Sequence, residues 1–107
     1  MAGEILVVFT TWPDAEAARA AGRKLVEEKL VACANIVPGI ESIYRWQGKV
    51  ETSSEILVFF KTTRSQYSLL EKRIRELHGY EVPEIIGVPV SDGLPDYLRW
   101  VEESCAG

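Results

Sequence analysis

The stretch VACANIVPGIESIYRWQG (residues 31–48) decides how this chain folds. Its first part is small and apolar, a Pro-Gly pair at 38–39 interrupts it, and a second extended run follows over 40–46. Gln47-Gly48 is typical of a tight turn that leads into a returning strand. The pattern predicts a long, kinked β-hairpin with aromatic residues near its tip. Because one small domain cannot bury both faces of such a hairpin, we expect it to contact other chains.

Composition narrows the class of protein. A chain of 107 residues predicts a single domain over residues 1–107, and its 47% hydrophobic and 26% charged residues are typical of globular proteins. With a net charge of -4, the chain lacks the excess of basic residues that is typical of a nucleic-acid-binding protein. The sequence shows neither a signal-peptide pattern nor an apolar run of about 20 residues that would span a membrane. We therefore expect a cytoplasmic protein that binds neither nucleic acid nor membrane.

Three further runs have the pattern of strands. ILVVF at 5–9 and ILVFF at 56–60 are apolar at every position, which is typical of central strands covered on both faces. The extended run at 80–90 contains Pro83 and Pro89, which cannot donate to a strand ladder. We therefore expect this last run at an edge of the sheet.

Helical periodicity predicts three helices. The first runs from an N-cap at Thr11 to about Lys29, and the second runs from an N-cap at Ser65 to His78. Gly79 fits the left-handed conformation that often follows a helix. A short C-terminal helix follows Asp92-Gly93. The inward stripe of the first helix is predicted to consist of Ala18, Gly22, Leu25, Val26 and Leu30.

The order of these elements predicts the fold. With right-handed crossovers, β-α-β-β-α-β makes a ferredoxin-like α+β sandwich whose antiparallel sheet has the strand order 4-1-3-2. A long β2-β3 hairpin and an extra C-terminal helix complete it. Ile40, Tyr44 and Trp46 share one hairpin face, and Arg45 is also a residue type common at interfaces. We expect a neighbouring chain to cover these four residues, which makes the protein an oligomer.

Several stretches resemble the CutA divalent-cation tolerance family, and together they cover nearly the whole chain in register. The resemblance implies a homotrimer of ferredoxin-like subunits, similar in architecture to the PII signalling proteins, whose hairpins pair across chains. It also implies a function in tolerance of copper and other divalent cations. The matching stretches are LVACANIVPGI (30–40), SIYRWQGKVE (42–51), FKT (60–62), HGYEVPEII (78–86) and YLRW (97–100).

The chain departs from this family in two places. The family usually has His-Pro-Tyr where this chain has His78-Gly79-Tyr80, so we expect a looser loop after the second helix. Some members carry Cys where this chain has Thr10 and His where it has Leu77. These departures remove two soft ligands that those members could offer to copper.

His78, the only histidine, is the first candidate for a metal ligand. It would bind a divalent metal such as Cu²⁺ together with Glu81 or Glu84, whereas the alternative is a helix-end residue bonded to a backbone carbonyl. Transition-metal sites normally need three or four ligands, so such a site would need several chains. Cys33 is a weaker metal candidate in an apolar strand, and Cys105 is predicted to be exposed.

Lys61 is the candidate for an anion site near a subunit boundary, with Tyr80 and Glu84 opposite. The alternative is an ion pair between Lys61 and Glu55 or Glu84. We expect a small ligand or metal ion in an inter-subunit cleft, between the hairpin of one chain and residues 80–90 of another.

Catalytic motifs are not visible in the sequence. It contains no Gly-rich phosphate loop, no GxSxG motif and no zinc-type Cys/His spacing. We therefore predict a non-enzymatic binding or signalling scaffold that requires no cofactor. Direct divalent-cation binding, and an enzyme on the same ferredoxin-like frame, are the alternatives.

Overall fold

The computed structural model of the protein describes residues 4–105. Over this range the chain forms four strands and three helices in the predicted order. None of these helices is long and apolar enough to cross a membrane. The elements are β1 (Ile5–Trp12), α1 (Ala15–Glu27), β2 (Cys33–Trp46), β3 (Lys49–Thr63), α2 (Arg64–Leu77), β4 (Ile85–Pro89) and α3 (Pro95–Ser104).

The strands form one antiparallel sheet in the order β2-β3-β1-β4. This is the predicted ferredoxin-like order read from the opposite edge, so the fold prediction is confirmed. The two fully apolar runs lie in the central strands β1 and β3, and the proline-containing strand β4 lies at an edge. The sequence pattern located these strands because central strands are covered on both faces.

Apolar clusters cover the two faces of the sheet. Leu6, Val8 and Phe60 pack with α1 and α2 in the larger cluster, which also contains Trp12. On the opposite face, α3 packs over the beginning of β1, where Ile5, Ala32, Val101 and Cys105 form a second cluster.

Two predictions about buried positions are corrected by this packing. Cys105 is only 3% exposed, because the end of α3 folds over Ile5 and Ala32; the prediction that it is exposed is therefore wrong. Val26 is largely exposed, and Ala21 lies on the buried stripe of α1 instead.

Helix boundaries differ from the prediction at both N-termini. Strand β1 continues through Thr11 to Trp12, and Asp14 caps α1 by accepting a 2.8 Å hydrogen bond from the Ala17 N–H. Helix α2 begins at Arg64 with Thr63 at the N-cap position, whereas Ser65 was the predicted N-cap. The predicted caps were wrong because several hydroxyl and carboxyl residues precede each helix, and the local pattern does not choose among them.

The hairpin is long, kinked and closed by a tight turn, as predicted. Strands β2 and β3 have 14 and 15 residues, well beyond the usual 5–6. Their register shifts between Val37 and Ile40, where Gly39 has a φ of 75°. Gln47 and Gly48 both have positive φ, which is the requirement of a type I′ turn. The principal extents of 47 × 26 × 22 Å reflect this projecting arm.

Candidate functional site

A cleft of about 830 Å³ lies between the projecting hairpin and the loop that follows α2. Strands β2 and β3 form one wall, and residues 79–84 form the other. We call this space the arm cleft. The side chains that matter for its chemistry are Tyr44, Trp46, Glu55, Tyr80, Glu81 and Glu84.

The two walls are joined by one hydrogen bond. The Tyr80 hydroxyl donates to Glu55 Oε2 at 2.8 Å, and Glu55 is only 8% exposed. Partial burial of the phenol, followed by its contact with the Glu55 carboxylate, raises the pKa of Tyr80 to about 12. Tyr80 is therefore a neutral hydrogen-bond donor throughout the physiological pH range.

His78 holds Tyr80 in position through a hydrogen bond and a ring contact. Its Nδ1 accepts the Tyr80 backbone N–H at 3.1 Å, so in the neutral ring Nε2 carries the proton and donates to the Thr11 carbonyl at 2.6 Å. The His78 ring lies between Trp12 and Tyr80, with centroid distances of 4.2 and 4.7 Å. His78 is therefore a buried positioning residue in this chain, bonded to a backbone carbonyl.

The described part of the chain does not assemble a metal site by itself. Residues 4–105 contain no group of three or more His, Cys, Asp or Glu side chains arranged to hold a metal ion. Glu81 and Glu84 line the arm cleft, but both ring nitrogens of His78 are already engaged. Metal binding by His78 with these carboxylates stays a prediction, and it requires breaking a His78 hydrogen bond.

Lys61 lies away from the arm cleft within one chain. It donates to Asn35 Oδ1, and its ammonium lies 5.0 Å from the centroid of the Phe59 ring. Glu55 is six residues away on the same strand, about 20 Å at the usual rise per residue. Within residues 4–105 of one chain, Lys61 forms an ion pair with neither Glu55 nor Glu84. A meeting of Lys61 with Tyr80 and Glu84 across a subunit boundary stays a prediction.

Cys33 is half-buried, and its surroundings are partly polar. Its Sγ lies 3.7 Å from Asn35 Oδ1 and 3.8 Å from the Tyr97 hydroxyl. It does not line the arm cleft, so within one chain it lies apart from Glu81 and Glu84.

The residues predicted to form a trimer interface divide between the two hairpin faces. Strand pairing places Tyr44 opposite Glu51 and Trp46 opposite Lys49, on the face that also carries Ile40 and Glu55. Arg45 points to the other face. Tyr44 and Trp46 are 42% and 48% exposed in the single chain, so both remain accessible to a neighbour or a ligand.

Gly79 does not adopt the left-handed conformation that the sequence suggested. The glycines with positive φ among residues 4–105 are Gly39 and Gly48. The chain leaves α2 instead through His78, which is extended with φ -87° and ψ 143°. A Cβ at Gly79 would meet no atom within 4 Å, so this loop is open rather than sterically restricted.

Sequence reasoning missed the contributions of Thr11 and Trp12. Thr11 lines the cleft and supplies the carbonyl that His78 contacts, and Trp12 stacks on the His78 ring. A strand extended beyond Phe9 would have indicated them, but Pro13 and Asp14 made this segment resemble a helix start. One chain supplies both walls of the arm cleft, and a cleft between the hairpin of one chain and residues 80–90 of another stays a prediction.

Comparisons with known proteins agree with this fold. The family model described as CutA1 divalent ion tolerance protein matches residues 6–104. A divalent-cation tolerance protein CutA of Thermus thermophilus is 48% identical over 98 residues, covering 92% of this chain and 95% of the relative. The chloroplastic protein CutA of Arabidopsis thaliana is 44% identical over 99 residues; this chain covers 54% of that protein's length.

A solved structure supports the same assignment. The crystal structure of CutA1 from Oryza sativa superposes with a TM-score of 0.95 at 41% sequence identity, covering 98% of this chain and 96% of that chain. The match includes both the sheet and its long hairpin, since it extends over nearly all of both chains. The chain therefore belongs to the CutA1 divalent ion tolerance protein family.

Proposed function

We propose that this chain is a non-enzymatic, homotrimeric binding scaffold in the cellular response to divalent cations, with the arm cleft as its ligand site. The observation that carries the proposal is the preformed cleft itself. The Glu55–Tyr80 hydrogen bond and the ring stack of Trp12, His78 and Tyr80 hold its wall in place. Such a fixed wall lowers the ordering cost of binding a small ligand.

Exposed apolar residues on the arm support a homotrimer. Ile43 and Val50, near the hairpin tip, are 67% and 68% exposed. On the sheet, the β4 side chains Ile86 and Val88 are also exposed. Apolar surfaces of this kind usually bind another protein surface, and the long edge strand β2 offers unpaired backbone groups beside them. In the trimer, the arm cleft would lie at the boundary between subunits.

We propose the cation and the cellular location on separate grounds. The Thermus thermophilus relative is named a divalent-cation tolerance protein, and we propose copper as one of the ions to which this chain responds. We propose a cytoplasmic location on the basis of the sequence. The Arabidopsis thaliana relative is named as chloroplastic, so location varies among family members.

A ligand screen on the assembled oligomer tests the scaffold function. The expected result is that a small metabolite raises the melting temperature of the wild type, and that Tyr80→Phe weakens this effect because it removes the bond between the cleft walls. If no compound from a broad metabolite library shifts the melting temperature, the cleft is not a ligand site. A hit that the protein converts chemically would instead establish an enzyme.

Direct metal binding through His78 is the second candidate, with Glu81 and Glu84 in the lining of the arm cleft as the carboxylates that it would need. Calorimetry with CuCl₂ distinguishes the two functions. Micromolar binding that is lost in His78→Ala would establish direct binding. The scaffold function instead predicts that Cu²⁺ leaves the NMR signals of the His78 ring in place, because both nitrogens are hydrogen-bonded. The chain has one histidine, so these signals are unambiguous.

A further inference from the structure

The arm cleft combines aromatic rings and carboxylates. Within residues 4–105 of one chain, three aromatic and three glutamate side chains line it, and no Lys or Arg does. We propose that the arm cleft binds an organic ammonium ion, with the cationic group held by Glu55 and the ring faces of Tyr44, Trp46 and Tyr80. This inference rests on the proposed function, because it names the ligand class for the same cleft.

Glu55 supplies the charge at the base of the cleft. More than nine-tenths of this residue is buried, and its Oε2 accepts the Tyr80 hydroxyl. Its Oε1 accepts no hydrogen bond from residues 4–105. Every fully buried side-chain oxygen in that range has a hydrogen-bond partner, so Oε1 is not fully buried. Oε1 must therefore reach the cleft space that Glu55 lines. A carboxylate in this position attracts a cation, and its partial burial strengthens the attraction.

The aromatic residues supply surfaces that suit an alkylammonium group. Tyr44 and Trp46 lie on the same hairpin face as Glu55 and leave much of their rings exposed. Tyr80 faces them from the other wall, fixed by Glu55 and His78. A cation within about 6 Å of an aromatic ring centroid is attracted by the ring's quadrupole, and several rings together form an ammonium-binding cage.

The other lining residues disfavour the competing ligand classes. Glu81 and Glu84 add negative charge at the loop wall, so an anion such as a nucleotide would meet repulsion. A bare divalent metal would need several oxygen or nitrogen ligands, and residues 4–105 offer no such group. Aromatic rings contribute no ligand to a hard metal ion, but they do contribute to binding an organic cation.

The experiment compares each ammonium ion with a neutral molecule of the same shape. Choline and 3,3-dimethylbutan-1-ol form one pair, and protonated n-butylamine and n-butanol form a second. Isothermal calorimetry on the wild-type oligomer at low salt should show saturable binding of at least one cation. The matched neutral molecule should bind at least about tenfold more weakly, because the charge contributes at a partly buried site.

Variants locate the site. Glu55→Gln should weaken cation binding at least about tenfold, and Trp46→Leu should weaken it about twofold to thirtyfold. The matched controls are Glu41→Gln, an exposed carboxylate on the opposite face of the hairpin and outside the lining, and Trp100→Leu, whose exposure of 44% resembles that of Trp46. Both controls should stay within about twofold of the wild type. Because Trp46 is exposed at the hairpin tip, its variant remains informative if Glu55→Gln fails to fold.

Two outcomes overturn the proposal. One is that no ammonium ion binds saturably, and the other is that the neutral molecules bind as tightly as the cations. The ligand screen separates this failure from failure of the scaffold function. If a neutral or anionic metabolite binds the cleft and Tyr80→Phe abolishes that binding, the scaffold function stands and the ammonium proposal is wrong. If no compound binds the cleft at all, both are wrong.

Discussion

Tyr80 joins the two walls of the arm cleft because each end of the residue has its own partner. Its backbone N–H donates to His78 Nδ1, and its hydroxyl donates to Glu55 Oε2. The His78 ring packs against the Tyr80 ring and is itself bonded to the Thr11 carbonyl. A single tyrosine thereby connects β1, β3 and the end of α2.

The ionisation of Tyr80 should be visible in a spectrophotometric titration. Because the pKa of Tyr80 is raised to about 12 from the usual value of 10.0, the protonated phenol stabilises the fold. This stabilisation is complete below pH 10 and is lost as the pH rises from about 10 to 12. Tyr80→Phe should remove the last phenol transition to appear. The difference in unfolding free energy between the wild type and this variant should shrink above pH 10. A difference that stays constant to pH 12 would contradict the hydrogen bond to Glu55.

Gly79 offers a stabilising substitution at the same site. The preceding His78 is already extended, as a residue before proline must be, and the Gly79 N–H donates no hydrogen bond within residues 4–105. Gly79→Pro should therefore raise the free energy of unfolding by about 0.4–1 kcal/mol, by restricting the unfolded chain. Denaturant titration measures this change, with Gly79→Ala as the intermediate control. A destabilised proline variant would show that the loop conformation differs from the one described.

At the scale of elements, helices α1 and α2 are joined at the surface by a bidentate ion pair. Arg73 Nε donates to Glu28 Oε1 and Arg73 Nη2 donates to Glu28 Oε2, each at 2.9 Å. Hydrogen bonds from Arg73, and the positive charge of its guanidinium group, hold the pKa of Glu28 below its usual value of 4.5. The pair connects the C-terminal end of α1 with the middle of α2.

This ion pair should make the stability of the fold depend on pH in the acidic range. The pKa of Glu28 is lower in the folded state than in the unfolded state. Its contribution to the free energy of unfolding is therefore present above pH 4.5 and is lost as the pH falls through the folded-state pKa. Glu28→Gln should melt below the wild type at pH 7, and the two melting temperatures should converge as the pH falls well below 4.5. The neighbouring exposed Glu27→Gln is the matched control and should show no such convergence. Equal melting temperatures at pH 7 and low salt would show that the pair contributes nothing measurable.

The elements were largely predictable because their signals are local. ILVVF and ILVFF identified the central strands, and Gln47-Gly48 identified the turn, since each depends on residues adjacent in sequence. The predicted N-cap at Thr11 was wrong because the tertiary pairing of Trp12 with Ile56 extends β1 past the polar pair at 10–11.

The candidate site was less predictable because its key contacts span the chain. Thr11 and His78 are 67 positions apart, and Glu55 and Tyr80 are 25 apart. Period-two alternation placed Tyr44 and Trp46 on one face, but no local pattern brings the loop after α2 to that face. Lys61 was grouped with Tyr80 as a residue at the end of a central strand, yet it lies farther along β3 than Glu55 and donates to Asn35.

At the scale of the whole molecule, the hairpin arm projects beyond the helices and exposes apolar residues on both faces. Ile43 and Val50 lie on the face opposite Tyr44 and Trp46, and Val50 is outside the lining of the arm cleft, so a ligand bound there leaves Val50 uncovered. The proposed trimer explains this arrangement, because pairing across chains would cover the second face as well as the edge of β2.

Charge placed on the arm should therefore weaken assembly without unfolding the subunit. Ile43→Asp should shift the protein toward monomer, because a carboxylate would be buried against the neighbouring arm. Leu69→Asp is the matched control, since Leu69 is exposed on α2, away from the arm. Size-exclusion chromatography with circular dichroism separates dissociation from unfolding. An unchanged oligomer in Ile43→Asp would show that the arm lies outside the interface.

The central claim is that this fold functions as an assembled trimer. Sedimentation equilibrium of the wild type from about 1 to 100 μM, the range in which stable oligomers stay associated, tests it most directly. The claim predicts a single species with the mass of three 12.0 kDa chains across that range. A species of 12.0 kDa throughout would contradict it.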